Sequence, residues 1–403
     1  MLELKDFEAA ADRLKNVIHY IPLSTSCTFS AMSGAEVYLK YENQQKTGSF
    51  KVRGAYNKIM KRYSEGNLHS VVASSAGNHA QGVAFAASSV GVKSTIVMPR
   101  STPIAKVSAT QGYGAEVVLA GTIYDEAYAK ACEICEETGA EFIHPFDDED
   151  VMAGQGTIAL EILRDLPFVD MIFVPVGGGG LIAGVAACAK QINPRIQIIG
   201  VQAEGAPAVA NSFRSGTLQP SETVQTIADG IAVKTPGEKT FEYIQKYVDR
   251  IVTVSDNEIS AAVLLLLERA KQVVETSGAA PLAAVLNHKI DVAGKKVVCV
   301  LSGGNIDVSF IHKIVEKGLV TRCRHLKFSI LLPDAPGALE RFSHLVAQQN
   351  ANIILFQHDR VRADIDIGEA IIQVVCEVGG VEQAKRLIDE LTAQGYQVFT
   401  DQL

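Results

Sequence analysis

Apolar and polar positions alternate along most of the chain in a way that is typical of βαβ units. Short β-branched runs that predict buried strands are each followed by a stretch with apolar residues at helical spacing. The clearest pairs are "SVVASS" with "HAQGVAFAASSVG", "KSTIVMP" with "IAKVSATQGYG", and "MIFVPV" with "LIAGVAACAKQI", and a further strand, "KKVVCVLS", lies near residue 300. Strands that alternate with helices form a mainly parallel sheet covered on both faces. The pattern therefore predicts an α/β protein.

The pattern changes near residue 320. From His325 onward it predicts the order strand, helix, strand, strand, helix, strand, in the segments "LKFSILLP", "GALERFSHLVAQQ", "NIILFQH", "EAIIQVVCEV", "VEQAKRLIDELTAQG" and "YQVFT". This βαββαβ order is the ferredoxin-like pattern. We therefore predict two domains, residues 1–320 and an α+β tail of residues 321–403.

Composition narrows the class of protein. The 403 residues are 47% hydrophobic and 20% charged, with a net charge of -8, so the chain is globular and has no basic surface that predicts a nucleic-acid partner. No signal-peptide pattern opens the chain, and no uncharged apolar run is long enough to cross a membrane. Seven irregularly spaced cysteines, including Cys132 and Cys135, favour reduced thiols over a disulfide framework or a zinc site. These features predict a cytoplasmic protein that acts on small molecules.

Three predicted strands end in loops of small residues. The loops are "SSAGNHAQG" (residues 74–82), "PVGGGGLIAG" (residues 175–184) and "LSGGN" (residues 301–305). Because ligands bind at the carboxyl ends of the strands in open α/β sheets, the three loops can share one site. The glycines from Gly177 to Gly180 expose backbone amides at a helix start, which is an arrangement that holds a phosphate. The plain alternative is that they only permit a tight turn and close helix packing.

Lys51 lies in "TGSFKVRGAY", where the chain is expected to begin a helix. If Ser49 caps that helix, Lys51 falls in the first turn, where the helix dipole and desolvation lower the pKa of an ammonium group. A deprotonated lysine is a nucleophile toward aldehydes. Together, a lysine of this kind and a phosphate site of this size are the requirements of pyridoxal phosphate.

A dinucleotide site is the main alternative for the glycine loop. Gly178, Gly180 and Ala183 match G-x-G-x-x-G/A after a strand, and Glu204 ends the next predicted strand. An NAD-dependent dehydrogenase would fit these residues. It would leave Lys51 and the other two loops without a role.

Four segments carry a resemblance to a known family. In this order, "TGSFKVRGA", "SSAGNHAQG", "PVGGGGLIAG" and "LSGGN" resemble the threonine dehydratases (threonine ammonia-lyases) of the fold-type II pyridoxal-phosphate enzymes, over residues 5–320. The tail resembles an ACT regulatory domain, with "PDAPGAL" between its first strand and first helix. The resemblance implies a two-lobed, tryptophan synthase β-like catalytic domain, in which a small lobe of roughly residues 50–145 is inserted in the large lobe.

The resemblance also implies roles for individual residues. Lys51 would bind the cofactor covalently and move the Cα proton, and catalysis would further involve Ser75 and Asn78. The cofactor would be bound by Lys51, Phe50, Asn78, Gly177, Gly178, Gly179, Gly180, Leu181 and Ser302. The substrate carboxylate would be bound by Ser75, Ala76, Gly77, Asn78 and His79. Within this set, we expect His79 to support the loop.

A metal site and a second reaction are weaker implications. Some relatives have a cation site that Glu204 and the carbonyl of Ala208 resemble. Some of those relatives carry an acidic residue where this chain has Ala210, so the identity of a bound metal stays unknown. A monovalent cation is a further option. A serine racemase-like enzyme would need a second base, and related racemases read "SSGNH", whereas this chain has Ala76 in place of the second serine. Ala76 therefore favours the dehydratase.

The activity implied is conversion of L-threonine to 2-oxobutanoate and ammonia, with L-serine to pyruvate as a slower reaction. The tail would bind an amino-acid effector, isoleucine or valine, at the turn of residues 333–339. The strands "LKFSILLP" and "NIILFQH" are apolar enough to predict pairing with another copy, and hence a homodimer or homotetramer.

Overall fold

The computed structural model describes residues 1–66, 68–360 and 366–400. The chain divides into two compact units, Met1–Ile306 and Asp307–Leu403. This division lies earlier than the boundary that we predicted near residue 320. The helix Val308–Thr321 packs on the first strand of the tail and therefore belongs with the second unit.

The first unit contains two mainly parallel sheets. Its strands are β1 (Ser24–Thr25), β2 (Glu36–Tyr41), β3 (Ser70–Ser74), β4 (Lys93–Met98), β5 (Glu116–Leu119), β6 (Glu141–Phe142), β7 (Met171–Pro175), β8 (Gln197–Ala203), β9 (Arg250–Val254) and β10 (Lys296–Leu301). The larger sheet has the order β1-β2-β10-β7-β8-β9, and only β1 runs antiparallel to its neighbour. The smaller sheet has the order β5-β4-β3-β6 and is parallel throughout. Because β3 to β6 lie between β2 and β7 in sequence, the small lobe is an insertion in the large one.

Helices cover both sheets. They are α1 (Leu4–Leu14), α2 (Cys27–Ser33), α3 (Lys51–Ser64), α4 (Asn78–Ser89), α5 (Ile104–Gly112), α6 (Tyr124–Thr138), α7 (Glu149–Asp165), α8 (Gly180–Ile192), α9 (Ala208–Ser215), α10 (Glu238–Tyr247), α11 (Asp256–Leu265) and α12 (Thr276–Leu286). Short 3-10 helices span Glu42–Gln44 and Asp229–Ile231, and a π-helix spans Leu266–Ala270.

The large lobe has its core around β7, all of whose residues are buried. Helices α8 and α12 consist mostly of alanine, glycine and branched aliphatic residues, and nearly every residue of both is buried. Such helices are apolar all round because they are enclosed on all sides. Two of the loops of small residues, "PVGGGGLIAG" and "LSGGN", follow the neighbouring strands β7 and β10 of this core.

The second unit has the ferredoxin-like order that the sequence predicted. Its elements are α13 (Val308–Thr321), β11 (His325–Pro333), α14 (Ala338–Gln348), β12 (Asn352–Asp359), β13 (Glu369–Glu377), α15 (Val381–Ala393) and β14 (Gln397–Phe399). The antiparallel sheet has the order β12-β13-β11-β14. Strand β11 is therefore covered on both edges within its own sheet, and of the two apolar strands that we expected to need a partner, only β12 lies at an edge.

Among the described residues, no helix is both long and apolar enough to cross a membrane. All seven cysteines lie in described parts of the chain and are free thiols, with Cys132 and Cys135 on α6.

Candidate active site

Lys51 is the first residue of α3, and the residue before the helix is Phe50. Our prediction that Ser49 caps this helix is wrong. The N-cap residue is Phe50, and Ser49 instead forms an isolated β-bridge with Gly303. Its buried hydroxyl has no hydrogen-bond partner among the described residues. The Phe50 amide donates to the carbonyl of Ser302 at 3.0 Å, so this segment is tied directly to the "LSGGN" loop.

The Lys51 amine is held in a desolvated position. Its Nζ donates to the carbonyl of Pro145 at 2.7 Å and lies 5.2 Å from the centre of the Phe50 ring. Burial lowers the pKa of Lys51 to about 8, although the carboxylate of Glu275 acts in the opposite direction. A substantial fraction of this amine is consequently neutral near pH 8, and a neutral amine is nucleophilic.

The "SSAGNH" loop connects β3 to α4, which begins at Asn78. The Ser75 amide donates to the carbonyl of Val97 at 3.2 Å, and the Gly77 amide donates to the Ser75 hydroxyl at 3.2 Å. The first helical turn then leaves the amides of Asn78 and His79 without intrahelical acceptors. A carboxylate fits at such a helix start. Of the five predicted carboxylate-binding residues, Ser75 already donates its amide to β4, and Gly77 donates its amide to the Ser75 hydroxyl.

His79 is buried in the first turn of α4. Its Nε2 donates to the carbonyl of Ile143 at 2.8 Å. Burial, and then the nearby charge of Lys51, lower the pKa of His79 to about 3. A side chain that is neutral and bonded to the backbone is suited to loop support, which remains our prediction for its role.

The glycine loop connects β7 to α8 and lies against Phe146. A Cβ atom on Gly178 would overlap the Phe146 ring, and a Cβ atom on Gly180 would lie 2.8 Å from the Cα atom of Phe146. Gly179 has a φ of 97°, which favours glycine. The first intrahelical bond runs from the Ala183 amide to the Gly179 carbonyl, so the amides that precede it are available to an anion. The glycines therefore serve both close packing and a possible phosphate site.

The predicted residues are brought together by contacts between their loops. Pro145 contacts Lys51, and its neighbour Phe146 contacts the glycine loop. Ser302 is 2% exposed and contacts the Lys51 segment through its carbonyl.

Asn305 completes the junction between the loops. Its Nδ2 donates to the Thr47 carbonyl at 2.8 Å and to the Asn78 Oδ1 at 2.7 Å. Four motifs that are far apart in sequence consequently form one site.

Sequence reasoning missed two polar residues of this site. Glu275 is 5% exposed, and both of its carboxylate oxygens accept from Asn78 Nδ2 at 3.0 Å. Asn305 lies in the quoted "LSGGN" motif but received no role. The only sequence signal for Glu275 is an acidic residue immediately before the small-residue helix "TSGAAP", which is also an ordinary helix-start pattern.

The candidate cation residues offer few ligands. The carboxylate of Glu204 is 3.9 Å from the ammonium of Lys289, and the Ala208 carbonyl accepts from the Ser212 hydroxyl at 2.8 Å. In the parts of the chain that the structure describes, no group of three or more His, Cys, Asp or Glu side chains could hold a metal ion.

The donor set at Lys51 fits pyridoxal phosphate. The desolvated amine can meet an aldehyde, and the amides at the start of α8 can hold a phosphate. Buried hydroxyls of Ser49 and Ser277 have no partner in the described protein, which leaves polar capacity beside the site. That Ser302 would offer a neutral group to the pyridine nitrogen stays a prediction.

Comparison with known proteins agrees with this fit. The family model described as pyridoxal-phosphate dependent enzyme matches residues 14–303. The chain is 50% identical to the L-threonine ammonia-lyase of Thermotoga maritima over 398 residues, which cover 99% of each protein. The processed threonine deaminase isoform 2 of Solanum lycopersicum matches with a TM-score of 0.73 and 40% identity over 78% of this chain and 94% of that one.

A maize serine racemase has a similar structure, with a TM-score of 0.74 and 36% identity, over 79% of this chain and 98% of that one. The fold is thus shared by enzymes with different reactions, while the full-length likeness is to an ammonia-lyase. The dinucleotide alternative finds no support in these comparisons. The chain belongs to the family of pyridoxal-phosphate dependent enzymes and is, within it, a relative of the threonine ammonia-lyases.

Proposed function

We propose that the chain is an L-threonine ammonia-lyase that converts L-threonine to 2-oxobutanoate and ammonia, and L-serine to pyruvate and ammonia more slowly. The reaction loses one water from Cα and Cβ, and the released enamine regains one water as it hydrolyses to the oxo acid and ammonia. The observation that carries the proposal is that contacts link the four motif segments to one another, directly or through Pro145 and Phe146, and that one of these segments carries the desolvated amine of Lys51. The full-length likeness to an L-threonine ammonia-lyase supports the choice of reaction.

Each part of the site has a role in this proposal. When bound, pyridoxal phosphate supplies an aldehyde for covalent attachment and a ring that accepts the electron pair left at Cα. Lys51 would hold the aldehyde carbon, and the amides of residues 177–181 would hold the phosphate. Asn78 would contact the ring hydroxyl, Phe50 would line the pocket, and Ser302 would face the ring nitrogen.

Lys51 is also the group that moves the proton. Because burial lowers the pKa of Lys51 to about 8, its Nζ can accept the Cα proton near neutral pH and hold it. The Pro145 carbonyl orients Nζ by accepting a hydrogen bond at 2.7 Å. The low pKa of His79, which burial causes, keeps its ring from competing for the proton.

The start of α4 would bind the substrate. The carboxylate would lie at the start of α4, where the amides of Asn78 and His79 have no intrahelical acceptor, and the Ser75 hydroxyl would close the loop by accepting from the Gly77 amide. Ala76 supplies no hydroxyl at the position where related racemases carry a serine. Racemisation would need a second group that returns a proton to the opposite face of Cα. Because Ala76 has no hydroxyl to do this, removal of the Cα proton by Lys51 favours elimination.

The proposal is tested with the purified full-length protein loaded with pyridoxal phosphate. We expect visible absorption that changes when L-threonine is added, followed by formation of 2-oxobutanoate. Borohydride reduction and peptide mapping should place the phosphopyridoxyl group on Lys51. Lys51→Ala should abolish both signals, while the control Lys46→Ala keeps them. Label on another lysine, or threonine left unconsumed by the loaded protein, would refute the proposal.

We further propose that the second unit binds an amino-acid effector, isoleucine or valine. A cavity of about 340 Å³ lies beside the turn of residues 333–339, and Arg360 and Asp334 form an ion pair of 3.2 Å at its wall. An amino acid carries one charge of each sign, which these two side chains complement. Edge strand β12 exposes Ile354, Leu355 and Phe356 at 45%, 50% and 37%, and a second copy that pairs along it would cover them and produce a homo-oligomer.

Two full-length variants separate these proposals. Arg360→Ala should weaken isoleucine or valine binding, measured by calorimetry, while the rate with threonine in the absence of effector is unchanged. Leu355→Lys should lower the molecular mass found by sedimentation. If neither amino acid binds the wild-type protein, the effector proposal fails, and if wild type sediments as a monomer, the pairing proposal fails. Effector and substrate affinities should shift by the same factor, because coupling between sites is reciprocal.

A further inference from the structure

Glu275 occupies the junction between the two lobes. It is the residue immediately before α12, in the large lobe, and its amide donates to the Gly303 carbonyl at 2.9 Å. Glu275 stands at the N-cap position of α12, but its side chain makes no capping bond to that helix. Its carboxylate is therefore directed to something other than the stability of α12.

The partner of that carboxylate is Asn78, at the start of α4 in the small lobe. Both oxygens of Glu275 accept from Asn78 Nδ2 at 3.0 Å, while Asn78 Oδ1 accepts from Asn305 Nδ2 at 2.7 Å. The amide of Asn78 is thus held at its donor end by an acceptor and at its acceptor end by a donor. This pairing defines one orientation of the amide.

The surroundings of Glu275 are built for a carboxylate. A Cβ atom on Gly303 would lie 2.5 Å from Glu275 Oε1, so only glycine leaves room there. Burial raises the pKa of Glu275 to about 7, and the negative charge of Asp229 acts in the same direction. The hydrogen bond from Asn78, the positive charge of Lys106 and the hydrogen bond from the Asn305 backbone amide act in the opposite direction. Glu275 in turn acts on the charge of Lys51. Burying a carboxylate is costly unless it is hydrogen-bonded, and buried groups with shifted pKa values cluster at functional sites.

We propose that Glu275 is a positioning residue that orients the Asn78 side chain, across the lobe boundary, toward the ring of the bound cofactor. Asn78 Nδ2 carries two hydrogens, so one can stay on Glu275 while the other serves the cofactor. This inference rests on the proposed function, since it concerns the residue assigned to the cofactor ring.

The test uses the loaded full-length enzyme and the variant Glu275→Gln. A carboxylate accepts on two oxygens but an amide on one, so either Asn78 or the Asn305 amide loses its acceptor. We expect kcat to fall about 10- to 100-fold, as is typical when a residue that orients a ligand is replaced, with a smaller change in KM. The visible spectrum should shift and the Kd for pyridoxal phosphate should rise, whereas Glu275→Asp, which keeps the carboxylate, should recover part of both.

A double variant identifies the route of the effect. If Glu275 acts through Asn78, adding Glu275→Gln to Asn78→Ala should change the spectrum and Kd little further. Asn305→Ala, which releases the other end of the Asn78 amide, should reproduce the spectral shift and covers the case in which Glu275→Gln does not fold. Glu258→Gln, at the start of α11, is the control carboxylate and should leave the spectrum unchanged.

The outcomes are distinct from those of the proposed function. A wild-type protein that binds no cofactor refutes the proposed function before any variant is made. A cofactor-binding wild type whose Glu275→Gln or Asn305→Ala variants keep its spectrum, Kd and kcat refutes the positioning role. Equal losses from Glu275→Gln with and without Asn78 also refute it.

Discussion

Arg53, two residues after Lys51 on α3, is fully buried and uses all of its donors. Its Nε and Nη2 donate to Glu42 at 2.8 Å, and its Nη1 and Nη2 donate to Glu161 at 2.8 and 2.9 Å. Nη1 also donates to the Thr157 hydroxyl at 3.1 Å. A guanidinium has five N–H donors, and the five bonds match them. The first turn of α3, which carries Lys51, is consequently anchored to α7 and to the 3-10 helix Glu42–Gln44.

Replacing Arg53 with methionine should destabilise the first unit strongly. The substitution removes the cation and leaves Glu42, which is fully buried, without a charge partner, while Glu161 keeps Lys40 at 2.5 Å. Breaking a buried ion pair by removing one partner costs about 3–5 kcal/mol. With an unfolding entropy of about 2.1 cal/mol/K per residue, this corresponds to a fall in Tm of about 5–8 °C for a unit of 306 residues.

Calorimetry of the apoenzyme at a fixed scan rate measures this change. Arg62→Met is the matched control, because Arg62 lies on the same helix in partly exposed pairs with Glu65 and Glu141. Solvent screens such pairs, so the control should lower Tm far less than Arg53→Met does. The double variant Arg53→Met with Glu42→Met removes the uncompensated carboxylate and should melt above the Arg53→Met single variant.

The stability difference between wild type and Arg53→Met depends on pH, and the sign of this dependence follows from the pKa of Glu161. Burial raises the pKa of Glu161, but Arg53 and then Lys40 outweigh it, so its pKa is below the ordinary 4.5. Stability from such a group is present above the unfolded pKa and is lost as pH falls through the lower folded pKa. The gap between wild type and Arg53→Met should therefore narrow below about pH 4.5. A single variant that melts within 1 °C of wild type, or a double variant that melts lower still, would refute the reasoning.

Three further substitutions probe the site. Because burial lowers the pKa of His79 to about 3, His79→Gln should leave the shape of the pH profile of kcat/KM unchanged, and a lost inflection would show that His79 titrates in the reaction. With L-serine as substrate, the wild-type enzyme should form pyruvate and no D-serine, as measured by chiral chromatography, whereas Ala76→Ser should form some D-serine. If the wild type forms D-serine about as fast as pyruvate, the role of Ala76 is contradicted. Gly178→Ala should overlap the Phe146 ring, lower Tm and raise the Kd for pyridoxal phosphate at a cost of about 1–3 kcal/mol, whereas Gly112→Ala, with open space around it, should do neither.

Local sequence patterns were sufficient to predict many of the helices and strands and their order along the chain. The alternation of β-branched runs with helical spacing predicted β3, α4, β4, α5, β7, α8 and β10 near their observed positions, and the tail matched its six predicted elements. This succeeded because burial on one or both faces imposes a period that is visible in the residues themselves. The glycine-rich loops were visible for a similar reason, since a loop that approaches another backbone closely excludes side chains.

The Lys51 prediction shows where local reasoning reaches its limit. The sequence placed this lysine at a helix start with a lowered pKa, and the structure agrees on both points. The reason that it gave for the helix start was wrong, because Ser49 pairs with Gly303, a residue more than 250 positions away. Pairing of that kind leaves no periodic trace near residue 49.

Only the tertiary structure decided which polar groups complete the site. Glu275, Asn305 and the Pro145 carbonyl reach Asn78 and Lys51 from elements that are distant in sequence. A buried carboxylate and an exposed one look alike in a sequence, because the desolvation that raises the pKa of Glu275 arises from whatever the fold packs around it. The chain by itself therefore determined the elements, the loops and the reactive lysine, while the electrostatics and orientation of the site depend on contacts that exist only once the two lobes are packed together.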